Sequence, residues 1–324
     1  MCTAISLTTQ DHYFGRNLDL EYSYIETITI TPRNFPFPFR QKEPLSQHYA
    51  MIGTAFVQDN YPLYYDATNE KGLSMAGLNF PDNAYYFPSV HGKANITPFE
   101  FIPWILGQCA TVVEARSLMK NLNLLNEPFS KALPLSPLHW MIADKEASIV
   151  VESTKDGLFI HENPVGVLTN NPPFEMQLFH LNNYMNLSND PPKNHFSEEL
   201  DLQKYSNGMG AMGLPGDWSS QSRFVRASFA KMNSKCGSSE KESVSQFFHL
   251  LGTVEFPMGC VEMKKNVYEI TIYSSCCNTN KGIYYYKTYE NFCITAVDMH
   301  RENLDSSELV CYPMKKAPLI TWQN

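Results

Sequence analysis

The order of elements along the chain predicts an α+β fold in which two antiparallel sheets stack face to face with helices outside. Three observations carry that reading. Short runs with apolar and polar residues in alternation recur along the chain, the mark of half-buried strands. They come in groups separated by groups of helical segments, not as strand–helix–strand alternation, which argues against a parallel doubly wound sheet. No internal repeat or low-complexity linker interrupts the 324 residues, so a single domain over 1–324 is expected. Hydrophobic residues make up 43% and charged residues 18%, a balance that supports a large buried core.

The first third reads as strands. Thr3–Thr8 and Tyr13–Leu20 flank a turn at Gln10-Asp11, giving a hairpin with Cys2 at its start. Ile25–Thr31 alternates strictly and predicts a third strand. Residues 32–48 hold Pro32, Pro36, Pro38 and Pro44 and are expected to form a loop. Met51–Val57, Leu63–Tyr65 and Leu73–Phe80 predict further strands, the last after a turn at Asn69–Gly72. The polar, aromatic stretch Asn79–His91 is a candidate pocket loop or lid. Helices follow. Thr97 is expected to cap a helix from Pro98 to Gln108, with Pro98 at its first position. A second helix is expected from Thr111 to about Leu122, with Val112, Ala115, Leu118 and Met119 on one face. Trp140–Ala143, Ser148–Ser153, Leu158–His161 and Gly166–Thr169 predict one continuing sheet. Phe174–Tyr184 is helical in pattern, and 186–216 reads as a loop rich in Asn, Pro and Gly. Helices at Ser222–Asn233 and Ser243–Leu251 precede closing strands at Val267–Ser275, Gly282–Thr288 and Cys293–Val297.

Composition excludes several functions. A net charge of −8 without a basic cluster argues against nucleic acid as a partner. No apolar run reaches the ~20 residues of a membrane helix, and Phe99–Gly107 is short and broken by Pro103. With no N-terminal targeting segment, a cytoplasmic protein without stable membrane association is expected. The eight cysteines are expected to be reduced in so large a chain, and no Cys-x-x-Cys pair or zinc-ligand spacing is present. Cys276 and Cys277 are adjacent in a strand-like run and so point to opposite faces, which does not suit a shared metal. Structural roles are expected for every cysteine but Cys2.

Cys2 follows Met1 directly. Loss of the initiator methionine would leave a residue carrying both a thiol and a free α-amine. An α-amine of pKa ~7.7–8.0 is partly neutral near neutral pH and can act as base to its own thiol. Arg16 and Asp19, in Gly15-Arg16-Asn17-Leu18-Asp19, lie on the partner strand, ~5 Å away across a hairpin. An arginine there favours negative charge on sulfur, and a carboxylate can hold the amine or orient the thiol. Asn79 and Asn170 each stand at the tip of a predicted strand, where a neutral amide donor suits a developing oxyanion. Arg223, in Ser222-Arg223-Phe224, falls in the first turn of a helix, where the dipole disfavours a cation, so another interaction selects it.

Taken in order, these motifs resemble the choloylglycine hydrolase family of N-terminal nucleophile hydrolases, the conjugated bile acid hydrolases and penicillin V acylases. Asn69-Glu70-Lys71-Gly72-Leu73, Leu138-His139-Trp140, Gly213-Leu214-Pro215-Gly216-Asp217 and Tyr284–Asn291 add to the likeness, which spans nearly the whole chain. The resemblance implies a four-layer αββα sandwich, an amidase mechanism, no metal or cofactor, and a homotetramer. It implies that Cys2 attacks the amide, that its α-amine shuttles the proton, and that Asn79 and Asn170 hold the oxyanion. Asp19 and Arg16 would position Cys2, and Arg223 would tune charge beside it. In this family Tyr tends to stand at the place of Asn79 in penicillin V acylases, so a conjugated bile acid is the expected substrate. Penicillin V acylase or another N-acyl amidase is the alternative, since an apolar pocket discriminates weakly. Leu18, Leu20, Tyr24, Phe56, Leu133, Leu135 and Leu138 are candidate steroid contacts. A non-catalytic sterol-binding module would need no Cys2, Arg16 and Asp19 constellation. A papain-like peptidase would need a helix-borne Cys with a distant His, and the best-placed one, His139, lacks a matching Asn context.

Overall fold

A computed structural model describes residues 1–324. Six strands open the chain: β1 (Cys2–Thr8), β2 (His12–Leu20), β3 (Thr27–Thr31), β4 (Met51–Gln58), β5 (Tyr61–Asn69) and β6 (Ser74–Asn79). β7 (Ala94–Ile96), α1 (Phe101–Leu106), α2 (Val112–Met119) and β8 (Leu122–Leu124) come next. They are followed by β9 (Leu138–Ala143), β10 (Ser148–Thr154), β11 (Gly157–Glu162) and β12 (Val167–Leu168). α3 (Phe174–His180), α4 (Ser220–Asn233) and α5 (Glu240–Gly252) lead into β13 (Glu262–Lys264), β14 (Val267–Tyr268), β15 (Ile270–Asn278), β16 (Ile283–Thr288), β17 (Thr295–Asp298) and β18 (Val310–Pro313).

The strands form two large sheets. One has six strands in the order β12-β1-β2-β15-β16-β17, the other eight in the order β11-β10-β9-β6-β5-β4-β3-β18, and all their pairings are antiparallel. The period of two divides their side chains between two cores. On the eight-stranded sheet Ile52, Ala76, Leu78, Met141 and Val150 face a core shared with Ala4, Phe14, Tyr273 and Cys276 of the six-stranded sheet. Met51, Met75, Trp140, Ile142 and Val151 face the opposite way and pack on Phe101, Ile105 and Ala115 of α1 and α2. Phe224 of α4 and Phe247 of α5 cover the six-stranded sheet. The result is the expected four-layer αββα sandwich.

Two glycines mark where the strands crowd. A Cβ on Gly15 would lie 1.9 Å from the Ser275 oxygen, and one on Gly53 would lie 2.0 Å from the Asp66 oxygen. Gly15 therefore lets β2 close against β15 immediately before Arg16. A register shift between Thr271 and Tyr273 bulges β15 where it pairs with Asp19 and Leu18.

Several sequence expectations are corrected. Ile25 does not begin β3. It takes φ 66° and is 79% exposed, so the chain turns there and alternation starts at Thr27. Thr97 does not cap a helix from Pro98. Residues 97–100 close a turn, with the Thr97 amide donating to the Glu100 carboxylate at 2.8 Å, and α1 starts at Phe101. α2 ends at Met119 because Leu122 is drawn into β8, which pairs in parallel with β7, two strands the pattern does not reveal. The 166–169 segment does not continue the sheet of β9–β11. As β12 it crosses to the other sheet, with Ala4 opposite Leu168 and Ile5 opposite Val167. That crossover carries Asn170 to the start of β1. α4 begins at Ser220, so Arg223 is its fourth residue, with its amide donating to the Ser219 oxygen at 3.0 Å.

Candidate active site

The site gathers where β1, β2, β6, β12, β15 and α4 meet. Cys2 is buried at the start of β1, opposite Leu18. Its amide donates to Asn170 Oδ1 at 2.9 Å. Arg223 comes in from α4, fully buried, and works as a three-way clamp. Its Nη1 donates to the Cys2 carbonyl at 2.5 Å and to Thr3 Oγ1 at 2.7 Å, and its Nη2 donates to Asn170 Oδ1 at 2.8 Å. Nε donates to the Trp218 carbonyl at 3.0 Å, and the guanidinium lies 5.2 Å from the Phe256 ring. Burial lowers the Arg223 guanidinium from its ordinary value, with Asp19 and Cys2 opposing that effect. These contacts outweigh the unfavourable place of a cation near a helix N-terminus.

Asn170 is fixed on every side. Its amide nitrogen donates from the side chain to the Asn79 carbonyl at 2.7 Å, and its backbone amide donates to Ser220 Oγ at 2.8 Å. Gln177 Nε2 donates to the Asn170 carbonyl. Asn79 ends β6, opposite Leu138, with its side chain exposed and its carbonyl bound to Asn170. The two asparagines are thus brought together.

Arg16 spans the two sheets. It is wholly buried, and Nη1 donates to the carbonyls of Gly77 at 2.6 Å and Tyr65 at 3.0 Å. Nη2 is buried with no partner, an unspent donor. Burial acts to lower this cation, but charge on Cys2, Tyr273, Asp66 and Asp19 outweighs it and holds the guanidinium above its ordinary value. Asp19 is buried beside it. Thr271 Oγ1, aligned by the β15 bulge, donates to Asp19 Oδ1 at 2.6 Å, while Oδ2 has no partner. Burial raises the Asp19 carboxyl, against the pull of the N-terminal ammonium and Arg223. The Met1 ammonium donates to the Asp19 carbonyl at 2.6 Å and pairs with Glu269, and burial lowers it below its ordinary value.

The candidate apolar contacts spread more widely. Leu18 is buried in the inter-sheet core and Leu20 packs at its edge. Tyr24 and Phe56 approach with ring centroids 6.2 Å apart, and Tyr24 also meets Tyr22 at 4.9 Å. Leu133 is half-buried in the loop before β9, whereas Leu135 and Leu138 pack against the outer core. A cleft of about 460 Å³, lined by Phe256, Thr271, Ser274, Lys287, Tyr289 and Phe292, opens behind Asp19 with Thr271 between them. A wider cleft of about 730 Å³ at Phe39–Leu45 contains none of the site residues. Sequence reasoning missed Ser220, Gln177, Thr271 and Glu269. Only Ser220, a hydroxyl just ahead of the helix predicted from Ser222, carries a local signal.

A family model described as linear amide C–N hydrolases, choloylglycine hydrolase family, matches residues 2–312. The chain is 57% identical over 315 residues to the bile salt hydrolase/transferase of Lactiplantibacillus plantarum, covering 97% of each. It overlays the crystal structure of the mutant C2A conjugated bile acid hydrolase from Clostridium perfringens with a TM-score of 0.93 and 39% identity, covering 100% of both chains. Penicillin V acylase from Agrobacterium tumefaciens shares the fold, with a TM-score of 0.72 at 19% identity over 95% of this chain and 90% of that one. A cysteine, two arginines, an aspartate and two asparagines converge on one strand end, and the whole chain follows one family's architecture. This chain is an enzyme of the choloylglycine hydrolase family of linear amide C–N hydrolases.

Proposed function

We propose that the protein is a bile salt hydrolase that cleaves the amide bond of glycine- or taurine-conjugated bile acids. The observation that carries the reading is the placement of the Cys2 nitrogen. It rests 2.9 Å from Asn170 Oδ1, inside the clamp made by Arg223. With Met1 removed, that nitrogen becomes an α-amine already held beside its own thiol. The sulfur attacks the amide carbonyl, and a C–S bond forms as negative charge moves to oxygen. Asn79, exposed and free, and Asn170 are the donors to that charge. The α-amine passes the thiol proton to the leaving nitrogen, and the C–N bond breaks to give a thioester. Water then attacks, the C–S bond breaks, and the proton returns to sulfur. Asp19 and Arg16 position Cys2. The Lactiplantibacillus plantarum relative is named a transferase as well as a hydrolase. An amine attacking the thioester in place of water would give that second reaction at the same site.

Leu18, Leu20, Tyr24, Phe56, Leu133, Leu135 and Leu138 are proposed to contact the steroid. We further place the enzyme in the cytoplasm as one domain without a cofactor. No helix is long and apolar enough to cross a membrane. A homotetramer is supported by the segment 186–216, which leaves Phe196 81% and Tyr205 82% exposed. Replacing Cys2 by Ser tests the central claim. Release of glycine or taurine should fall at least ~100-fold while the circular dichroism spectrum is unchanged. Full turnover by that variant, or by protein whose intact mass still includes Met1, would sink the mechanism.

A further inference from the structure

His139 lies outside every role assigned above, yet it is wholly buried directly behind the two asparagines. It stands on β9 opposite Leu78, one residue from the Leu138–Asn79 pair, and faces the gap between the sheets with Met141. Phe80, next to Asn79, stacks on its ring at 4.3 Å with the planes 5° apart. Its Nε2 lies 2.9 Å from the carbonyl oxygen of Thr169, next to Asn170, and its Nδ1 lies 3.0 Å from Glu152 Oε1. One ring therefore touches both asparagine-bearing segments.

The partners fix its proton count. A carbonyl oxygen can only accept, and so can an ionised carboxylate. Glu152 is ionised. Burial acts to raise it, but the hydrogen bonds from His139 and His161 prevail and bring it down to about 2. The Phe174 amide also donates to Glu152 Oε1 at 3.0 Å, and His161 approaches Oε2 at 3.5 Å. Both ring nitrogens of His139 must then carry protons, and the ring is an imidazolium. A neutral tautomer would set a lone pair against an acceptor in a dry interior, a costly arrangement.

We propose that His139 is a positioning residue: a buried imidazolium, anchored by Glu152, that holds the Asn79 and Asn170 segments at the spacing an oxyanion requires. This rests on the oxyanion reading of those two asparagines. A displacement of ~1 Å at such a site costs about 100-fold in rate. His139→Phe keeps the stack on Phe80 but removes both donors. Glu152→Gln keeps the shape but removes the counter-ion, and it serves if His139→Phe does not fold.

The test combines steady-state kinetics per titratable thiol with ¹⁵N-histidine NMR of the whole enzyme. Both variants should lower kcat by about 10- to 100-fold with KM little changed, and the parent spectrum should show both His139 nitrogens protonated. A purely structural role would lower thermal stability and leave kcat per active thiol intact, and that result overturns the proposal. A neutral His139 spectrum overturns it as well. Failure of the underlying reading looks different, because Asn79→Ala and Asn170→Ala would then leave kcat unchanged whatever His139 does.

Discussion

The Arg223 guanidinium donates to the Cys2 carbonyl at 2.5 Å although 221 residues separate them in sequence. A helix residue thus holds the first strand of the protein from behind. The same cation also satisfies Thr3 Oγ1 and Asn170 Oδ1, and each acceptor is buried. Arg223→Ala leaves the Cys2 carbonyl and Thr3 Oγ1 without this donor, at ~1–3 kcal/mol each, and leaves Asn170 Oδ1 with the Cys2 amide alone. The expected outcome is a loss of kcat/KM of about 1000-fold with a lower melting temperature. Arg223→Lys keeps the charge but not the fork, so it should recover only part of the loss. Kinetics on glycine- and taurine-conjugated cholate, with melting curves for each variant, decide this.

The two asparagines should separate cleanly. Asn79 has an exposed side chain and binds Asn170 through its own backbone carbonyl. Asn79→Ala should therefore lower kcat by about 10²–10³ and leave stability within ~0.5 kcal/mol of the parent. Asn170 receives Cys2 and Arg223 and donates to Asn79 through one side chain. Asn170→Ala should lose activity and also unfold in less urea. Equal stability of the two variants would contradict the division of labour between them.

Much of this was legible because the functional residues sit on regular elements. Cys2, Arg16 and Asp19 lie on one hairpin, and strand alternation with a turn at Gln10-Asp11 is enough to place them together. Asn170 was legible as a strand tip but not as a neighbour of Cys2. The local pattern predicts that its strand continues the sheet of β9–β11, and only the pairing of β12 with β1 corrects that. Local pattern cannot say which sheet a two-residue strand will join, since long-range pairing decides it. Thr271 was invisible for another reason. A register shift aims its hydroxyl at Asp19, and bulges leave no period in a sequence. The Thr97 cap failed because the Glu100 amide, which the Thr97 hydroxyl would have to receive, donates to the Thr97 carbonyl at 3.0 Å and closes a turn instead.

The segment 186–216 bears on assembly. Phe196 and Tyr205 stand more than four-fifths exposed, and Leu200 and Leu202 about half. Residues of that kind cover one another when copies associate. On the homotetramer proposed above, Phe196→Ser combined with Tyr205→Ser should give smaller species than the parent in light scattering. A tetramer of unchanged affinity would place the interface elsewhere.

His12 supplies the pH dependence, by contrast with His139. Its ring nitrogens lie 2.9 Å from Ser6 Oγ and 2.9 Å from Thr279 Oγ1, hydroxyls that can donate or accept, so a neutral ring is fully satisfied. Burial pushes its pKa down from 6.5 to about 4. Between those values the unfolded chain binds a proton that the folded one refuses, so stability rises with pH through this window and falls on acidification. The drop corresponds to roughly 3 kcal/mol in total. Glu152 acts lower, since its stabilising charge is lost as pH falls from 4.5 toward about 2. The raised carboxyls of Asp19 and Asp66 oppose His12, because they favour the folded state at low pH. The difference between parent and His12→Gln therefore isolates the histidine. Urea unfolding from pH 4.5 to 6.5 should show the parent gaining stability relative to the variant as pH rises. A difference that stays flat across that range would mean the buried ring is already protonated.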